Sequence, residues 1–332
     1  MIRALLAALV SVAAPVAAET PDAVARRYGL QGELLAAKGD RILLDRGYGT
    51  IDPAGGAVHA AGERWRLASI TKQVVAAQVV AGLESKPGVL DAPIPREVAP
   101  GVGFIPALAG LTVRQLLTHH SGLANPDDTP PGAGGVPGAY LKRAPDVAYC
   151  ASKPGTPGAA FAYNNCDYLL VGAWRGTDRW PQGMAMATAG ERGVPGYVKG
   201  RPEPAIQLAS FGAAGGLIGT ARDVFRFDRA LMTGRLMAPA SLAALWTPEG
   251  KGSYQALGQW VFPGTLAGCA TPRRIVQRDG EIGGVQVRNF ILPDDAIVVI
   301  VFTNRSSDDF AFGEVWEGKG FVYDLLSAAA CS

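Results

Sequence analysis

Ser69 and Lys72 stand three residues apart in the segment RLASITKQVVAAQVVAGL, and together they could form a nucleophile and its base. Residues i and i+3 of a helix share one face, with Cβ atoms about 5–6 Å apart, so the lysine amine can reach the serine hydroxyl. A hydroxyl is a weak nucleophile until a neighbouring base takes its proton. The spacing therefore indicates nucleophilic catalysis, although a helix start with a surface lysine would show the same string.

The helix that follows Ser69 must be buried if Lys72 is to act as a base. Its residues are apolar nearly all the way round, which is typical of a core helix. Burial disfavours the charged form of a lysine and lowers its pKa toward the range in which the neutral amine can accept a proton. The buried flank thus favours the functional interpretation of the pair.

Strands are predicted near both ends of the chain, with helices between them. The segment GELLAAKGDRILLDRGYG has two apolar runs around Lys38-Gly39-Asp40, which predicts a β-hairpin. Later elements are expected as strands over 274–277, 286–292 and 296–303 and as a helix over 312–326. We therefore expect an α+β fold in which one sheet combines both ends of the chain, and a helical subdomain is inserted between them.

The middle of the chain carries helix signals and one long irregular segment. Thr112 with Gln115, and Thr220 with Asp223, have the spacing of capping boxes at helix starts. Proline and glycine dominate 125–158, which predicts a long ordered loop or short helices around a cleft.

Composition describes an ordinary globular protein of 332 residues, with 48% hydrophobic and 18% charged residues. A formal net charge of +2 is too small to indicate nucleic-acid binding. The start, MIRALLAALVSVAAPVAAET, has one arginine, an apolar run and small residues at Val16 and Ala18, which is typical of a cleaved export signal. No later run predicts a membrane span. The expected division is a signal over 1–18, a sheet subdomain over 19–81 with 250–332, and a helical subdomain over 82–249.

Four cysteines follow the expected signal, an even number that predicts two disulfides in an oxidising compartment. Three pairings are possible. We favour Cys150 with Cys166 and Cys269 with Cys331, because the other pairings tie the middle of the chain to its end. Reduced, buried cysteines are the alternative.

The three histidines, His59, His119 and His120, give no sign of a metal site, because no paired Cys-x-x-Cys accompanies them. His119 and His120 fall at the expected C-terminal end of the helix that starts after Thr112, where cations are favoured. We expect both to be structural rather than catalytic, and we expect no metal and no cofactor.

Four segments together resemble the serine hydrolases of the class C β-lactamase and penicillin-binding protein family: RLASITKQ, LTVRQLLTHHSGL, FAYNNCDYLLVG and GAAGGLIGTARDVFRF. The similarity runs from about residue 30 to 310. It implies an antiparallel sheet flanked by terminal helices, an all-helical domain, and an active site between them. In that family Ser69 would be the acylated nucleophile and Lys72 its proton acceptor.

The family's second motif, Tyr-x-Asn, is matched by Tyr163 and Asn165. The resemblance implies that the tyrosine hydroxyl relays a proton to the leaving group, and that the asparagine amide holds the lysine and a substrate carbonyl. The alternative is that Asn165 simply caps a helix beginning at Cys166.

The third motif departs from the family pattern of Lys or His, a small polar residue and Gly on an inner strand. The preferred match is Arg278-Asp279-Gly280, with Gly284 as a further glycine after the turn. Arginine keeps the positive charge and could bind a substrate carboxylate through two hydrogen bonds, but it cannot serve as a proton donor or acceptor. A surface arginine paired with a neighbouring carboxylate is the alternative.

A rival alignment places Glu281 at the cationic position, with Gly283 following, and would disfavour an anionic substrate. In the preferred alignment the backbone N–H groups of Ser69 and Glu281 would form an oxyanion hole.

These patterns predict an exported, periplasmic or secreted serine hydrolase that works through an acyl-enzyme. We expect a small-molecule or peptide substrate bearing a carboxylate, such as a β-lactam or a D-amino-acid peptide amide, with no nucleic-acid partner, no membrane anchor and a monomeric state. A carboxylesterase of the same fold and a non-hydrolytic penicillin-binding sensor are the alternatives. The α/β-hydrolase fold is disfavoured because no Gly-x-Ser-x-Gly segment exists.

Overall fold

A seven-stranded antiparallel sheet forms the centre of the protein, in a computed structural model that describes residues 19–94, 105–175 and 179–331. The strand order is β2-β1-β12-β11-β10-β9-β8. Strand β1 pairs with β12 from Gly32–Thr303 to Lys38–Ile297, which joins the two ends of the chain. The strands of this sheet are β1 (Gly32–Lys38), β2 (Arg41–Tyr48), β8 (Gln255–Ala256), β9 (Gln259–Gly264), β10 (Arg273–Ile282), β11 (Val285–Leu292) and β12 (Ile297–Thr303).

Both faces of the sheet are covered, which explains why β12 has no polar face. Successive side chains of a strand point to opposite faces. Val299 and Val301 therefore join a core with the terminal helices α1 (Pro21–Arg27) and α9 (Phe321–Ala330). Ile300 and Phe302 join the larger core on the opposite face.

The larger core is built from seven helices and one small sheet. The helices are α2 (Ile70–Gly82), α3 (Val113–Leu117), α4 (Val147–Cys150), α5 (Asn165–Arg175), α6 (Gly212–Gly215), α7 (Ala221–Met232) and α8 (Pro239–Leu245). The remaining strands are β3 (Trp65–Arg66), β4 (Ala185–Met186) and β7 (Leu217–Gly219), which form the small sheet, and the pair β5 (Tyr197–Val198) and β6 (Arg201–Pro202).

Several local predictions are confirmed. The hairpin turns at Gly39 between β1 and β2, and the expected C-terminal strands are β10, β11 and β12, with β10 extending five residues further, to Ile282. Both capping boxes are present, at Thr112 and Thr220. The fold is the predicted α+β arrangement, with helices between strands from both ends of the chain.

The predicted helix over 312–326 is wrong at its start, because α9 begins only at Phe321. Gly318 and Gly320 have φ values of 66° and 94°, which interrupt a helix in this segment. A short 3-10 helix, Val315–Glu317, stands where the first turn was expected.

The segment over 125–158 forms short helices linked by turns, which is one of the two arrangements expected for it. Each 3-10 helix there has three or four residues, and α4 ends the segment's helical part. All 3-10 helices of the described residues are Pro87–Leu90, Pro106–Leu108, Pro126–Asp128, Ala133–Gly135, Gly138–Leu141, Leu208–Phe211 and Val315–Glu317.

The disulfide pairing is the predicted one. Cys150 bonds to Cys166 and so ties α4 to the first turn of α5. Cys269 bonds to Cys331 and ties the end of the chain to the loop before β10. Within the described ranges no helix combines the length and apolarity that a bilayer crossing requires. The predicted export signal, residues 1–18, lies outside the described residues.

Candidate active site

Ser69 lies at the N-terminal end of the buried helix α2, directly after a strained residue. Ala68 has a φ of 43°, a left-handed value that costs free energy for a residue with a Cβ and is found where geometry is fixed for function. The Ser69 side chain makes no capping bond to its own helix. Its Oγ instead lies 3.1 Å from Lys72 Nζ and 2.7 Å from the Tyr163 hydroxyl. The hydroxyl is therefore available for chemistry.

Lys72 is fully buried, and its Nζ has three oxygen neighbours. These are Ser69 Oγ at 3.1 Å, Asn165 Oδ1 at 2.7 Å and the Ala214 carbonyl at 2.7 Å. Burial is the main cause that lowers the pKa of Lys72, and the charge of Arg278 acts in the same direction. A neutral amine would donate to Asn165 and Ala214 and turn its lone pair toward Ser69.

The Tyr163 hydroxyl lies between the serine and a guanidinium group. It contacts Ser69 Oγ and accepts a hydrogen bond from Arg278 Nη2 at 2.8 Å. Burial alone would raise the pKa of Tyr163, but the positive charges of Lys72 and Arg278 outweigh it, and the net pKa is lowered. The two cations therefore favour loss of the Tyr163 proton.

The start of α5 positions Asn165, and the alternative in which this residue caps the helix is wrong. Asn164 Oδ1 accepts the Cys166 N–H at 2.7 Å, as a capping side chain does. This leaves the Asn165 amide free to hold Lys72 through Oδ1 and to donate to the Tyr140 hydroxyl at 2.7 Å. The disulfide at Cys166 fixes the same helical turn.

Arg278 places its side chain in the site, and the Glu281 carboxylate points elsewhere. Arg278 is 1% exposed, and its Nε donates to the Ser69 carbonyl at 3.0 Å. Glu281 instead accepts from the Ser307 backbone N–H and hydroxyl at 3.0 and 3.1 Å. With two guanidinium nitrogens held by Ser69 and Tyr163, Arg278 Nη1 is the buried nitrogen without a partner. The charge beside Ser69 is therefore positive.

The β10 backbone passes directly beside Ser69. Pairing of β10 with β9 ends at Gln277 and Trp260, so the edge of β10 beyond that point has no partner strand there. A Cβ on Gly280 would lie 2.4 Å from the Ser69 backbone nitrogen, which excludes any side chain at this position. Glu281 follows Gly280 on this unpaired edge, and the role of its backbone N–H in an oxyanion hole stays a prediction.

The turn glycines after β10 have packing reasons of their own. A Cβ on Gly284 would lie 2.1 Å from the Tyr197 nitrogen, and its N–H donates to Glu203 at 2.8 Å. Gly283 has a φ of 57°, which an L side chain rarely adopts. Both glycines therefore have structural roles.

His119 lies behind Tyr163, with ring centres 4.6 Å apart. Its Nδ1 lies 2.9 Å from Asp167 Oδ2, and burial lowers the pKa of His119 well below its usual range. Burial also raises the pKa of Asp167 well above its usual range. His120 is only partly buried and contacts the Thr118 hydroxyl. Neither histidine forms a hydrogen bond with Ser69 in the described structure, and their structural role stays a prediction.

Sequence reasoning missed several residues of the site. The Ala214 carbonyl holds Lys72, and no side-chain pattern reveals a backbone contact of that kind. Tyr140 and Asp127 contact Asn165 from the Pro/Gly-rich segment. Polar side chains in a long ordered loop are the signal that could have identified these two.

The site opens into a cavity of about 740 Å³. Its other lining residues are mainly apolar or aromatic: Gly134, Gly135, Val136, Pro137, Phe161, Val198, Pro204, Ile206, Phe211, Trp260, Asp279, Ile282 and Gly283. Within 19–94, 105–175 and 179–331, no three His, Cys, Asp or Glu side chains group closely enough to hold a metal ion.

The sequence profile of the Beta-lactamase family matches residues 17–187 and 174–319. The chain belongs to the β-lactamase family. No curated protein shows significant sequence similarity to this β-lactamase-family protein.

Solved structures of the same fold resemble the protein at low sequence identity. The D-amino acid amidase from Ochrobactrum anthropi SV3, complexed with D-phenylalanine, has a TM-score of 0.68 at 21% identity, covering 93% of this chain and 96% of that one. The penicillin-binding protein from Bacillus halodurans has a TM-score of 0.67 at 20% identity, covering 93% and 98%. The octameric penicillin-binding protein homologue from Pyrococcus abyssi has a TM-score of 0.68 at 17% identity, covering 92% and 77%. These likenesses confirm the fold.

Proposed function

We propose that this β-lactamase-family protein is a serine hydrolase that works through an acyl-enzyme on Ser69. The observation that carries the proposal is the contact of Ser69 Oγ with both Lys72 Nζ and Tyr163 Oη, at 3.1 and 2.7 Å. A buried lysine beside a serine has an evident use in activating that serine. The family membership of the chain supports the same reaction class.

The hydrogen bonds form one consistent chain when Lys72 is neutral. Arg278 donates to the Tyr163 oxygen, Tyr163 donates to Ser69 Oγ, and Ser69 donates to the Lys72 lone pair. The two remaining N–H groups of Lys72 donate to Asn165 and to a backbone carbonyl. Every proton then has one acceptor, so the arrangement is ready for transfer from Ser69 to Lys72.

Acylation follows from this chain. Ser69 Oγ attacks the substrate carbonyl while Lys72 takes its proton, and the carbonyl oxygen gains negative charge near the backbone N–H groups of Ser69 and Glu281. The bond to the leaving group breaks, and Tyr163 supplies the proton that this group needs. Because the acylated Oγ can relay no proton, Lys72 returns its proton directly to Tyr163, whose ring centre lies 4.8 Å from Nζ. Water then cleaves the ester and regenerates the serine.

The acyl donor we favour is a D-amino-acid amide or peptide, or a β-lactam. The fold neighbours include a D-amino acid amidase and penicillin-binding proteins. A substrate carboxylate in the cavity would be attracted by the positive charge of Arg278, which lines it. The two disulfides and the sequence of the first 18 residues support an exported protein.

A carboxylesterase is the second candidate, because the same residues would cleave an ester and the cavity is lined largely by apolar groups. Intact-mass spectrometry over time tests both. The protein is mixed separately with a penicillin, a cephalosporin, D-phenylalaninamide and a p-nitrophenyl ester. A transient adduct indicates a hydrolase, and turnover of the ester alone indicates an esterase. A persistent adduct indicates a penicillin-binding sensor, and the absence of any adduct or turnover contradicts the proposal.

A further inference from the structure

A second cavity, of about 460 Å³, adjoins the active-site pocket. Phe161 and Trp260 line both cavities, so the two cavities meet at these side chains. We call the second cavity the aromatic groove; its lining residues are His120, Phe161, Glu249, Ser253, Tyr254, Gln255, Trp260 and Trp316. The reaction proposed above uses none of the residues that line this groove alone.

Exposed aromatic side chains are concentrated in the aromatic groove. Five large apolar side chains are exposed in the described part of the chain, and Phe161, Tyr254 and Trp316 are three of them. Tyr254 and Trp316 both pack on the buried ring of Phe262, with ring centres 5.5 and 5.6 Å away. A clustered apolar surface held on a buried support is typical of a binding site, whereas single exposed apolar residues are ordinary.

The groove lies close to Tyr163, the residue proposed above to protonate the leaving group. The Arg278 guanidinium lies 4.9 Å from the Trp260 ring and donates to the Tyr163 hydroxyl. Phe161 precedes Tyr163 by two residues. A leaving group that accepts a proton from Tyr163 therefore lies near Phe161 and Trp260, the two residues shared with the groove.

We infer that the aromatic groove binds the leaving group of the substrate, and that this leaving group is an amine or alcohol carrying an aromatic ring. The inference rests on the proposed acyl-enzyme function. Aromatic side chains bind a further ring through apolar burial and through stacked or edge-to-face contacts. Ser253 and Gln255 also line the groove, so polar groups stand beside the aromatic ones.

Two esters of one acid test the groove. D-alanine ethyl ester and D-alanine 2-(2-naphthyl)ethyl ester share an acyl group and release alcohols of similar acidity. We expect kcat/KM to be higher for the naphthyl ester by a factor on the order of ten. Trp316→Ala and Tyr254→Ala should each reduce this preference and leave turnover of the ethyl ester unchanged. Val58→Ala, at an exposed apolar residue outside the groove, is the matched control.

Binding of the alcohol alone separates the groove from the proposed reaction. Calorimetric titration of the Ser69→Ala variant with 2-(2-naphthyl)ethanol should show binding that Trp316→Ala in the same background weakens by about fivefold or more. Equal kcat/KM for the two esters, or no detectable binding of the alcohol, would overturn the inference. Binding of the alcohol without turnover or acylation by either ester would support the groove as an aromatic site and contradict the acyl-enzyme function.

Discussion

Replacing Arg278 with alanine should move the whole pH profile of acylation to higher pH. Burial chiefly lowers the pKa of Lys72, and the Arg278 charge adds to that effect. Burial alone would raise the pKa of Tyr163, but the charges of Lys72 and Arg278 outweigh burial and lower that pKa. Activity should rise with pH as Lys72 becomes neutral and fall as Tyr163 loses its proton. The profile is therefore expected to be bell-shaped.

Loss of the Arg278 charge raises both pKa values, because that charge disfavours an ammonium and favours a phenolate. Both limbs of the profile therefore move in the same direction. The guanidinium carbon lies 5.4 Å from the centre of the Tyr163 ring. At an effective dielectric constant of about 20, unit charges at that separation interact by about 3 kcal/mol. We expect the alkaline limb to move by roughly one to two pH units.

The assay is kcat/KM for a neutral p-nitrophenyl ester against pH, for the wild type, Arg278→Ala and Arg278→Lys. The alanine variant also loses the charged hydrogen bond to Tyr163. At the optimal pH this should raise the activation free energy of the reaction by about 1.5–3 kcal/mol. A carboxylated substrate should lose about 2–4 kcal/mol in total transition-state stabilisation. Lysine keeps the charge and should keep the position of both limbs. An alanine variant with unshifted limbs would refute the electrostatic role of Arg278.

Three further changes test the rest of the site. Ser69→Ala and Lys72→Ala should each abolish covalent labelling by a β-lactam or ester, and the double variant should be no worse because the residues act as a unit; intact mass and circular dichroism measure label and fold. Removal of the Cys150–Cys166 disulfide should lower the free energy of unfolding by about 3 kcal/mol, as expected for its 16-residue separation, and should also reduce kcat. Denaturant titration measures the first effect and steady-state kinetics the second. Gly280→Ala should reduce kcat/KM by tenfold or more because its Cβ would lie 2.4 Å from the Ser69 nitrogen.

Matched variants distinguish local effects from general ones. Gly88→Ala adds a methyl group with nothing within 4 Å, so it should leave kcat/KM unchanged. Removal of the Cys269–Cys331 disulfide should lower stability with little effect on kcat, since this bond ties the end of the chain to a loop. Loss of kcat in both controls would show that the active-site variants act through the fold as a whole.

Local chemistry explains why much of the fold follows from the sequence. The hairpin at Gly39 and the caps at Thr112 and Thr220 depend on residues close in sequence, so their patterns are explicit. The sequence predicts a helix start at Phe312 instead of Phe321, because the apolar periodicity continues through glycines whose positive φ interrupts the helix. A period of apolar residues does not reveal that backbone conformation.

In the active site too, the sequence indicates contacts between motif residues but not the contacts that tertiary structure adds. The spacing of Ser69 and Lys72, and the Tyr163-x-Asn165 string, indicated which side chains meet, and the structure places all four within one hydrogen-bonded group. The other partners of these residues come from distant segments through tertiary contacts. Arg278 shows the limit most clearly, because its type suggested substrate binding, while its Nε and Nη2 bind Ser69 and Tyr163 within the protein.

The most direct test of the acyl-enzyme mechanism is the location of the covalent adduct. The protein is incubated with a penicillin or with a p-nitrophenyl ester, quenched in acid, digested and sequenced by tandem mass spectrometry. We predict one acylated residue, Ser69, with no adduct in either Ser69→Ala or Lys72→Ala. Hydrolysis of either compound by Ser69→Ala at the wild-type rate, or an adduct on another residue, would contradict the mechanism.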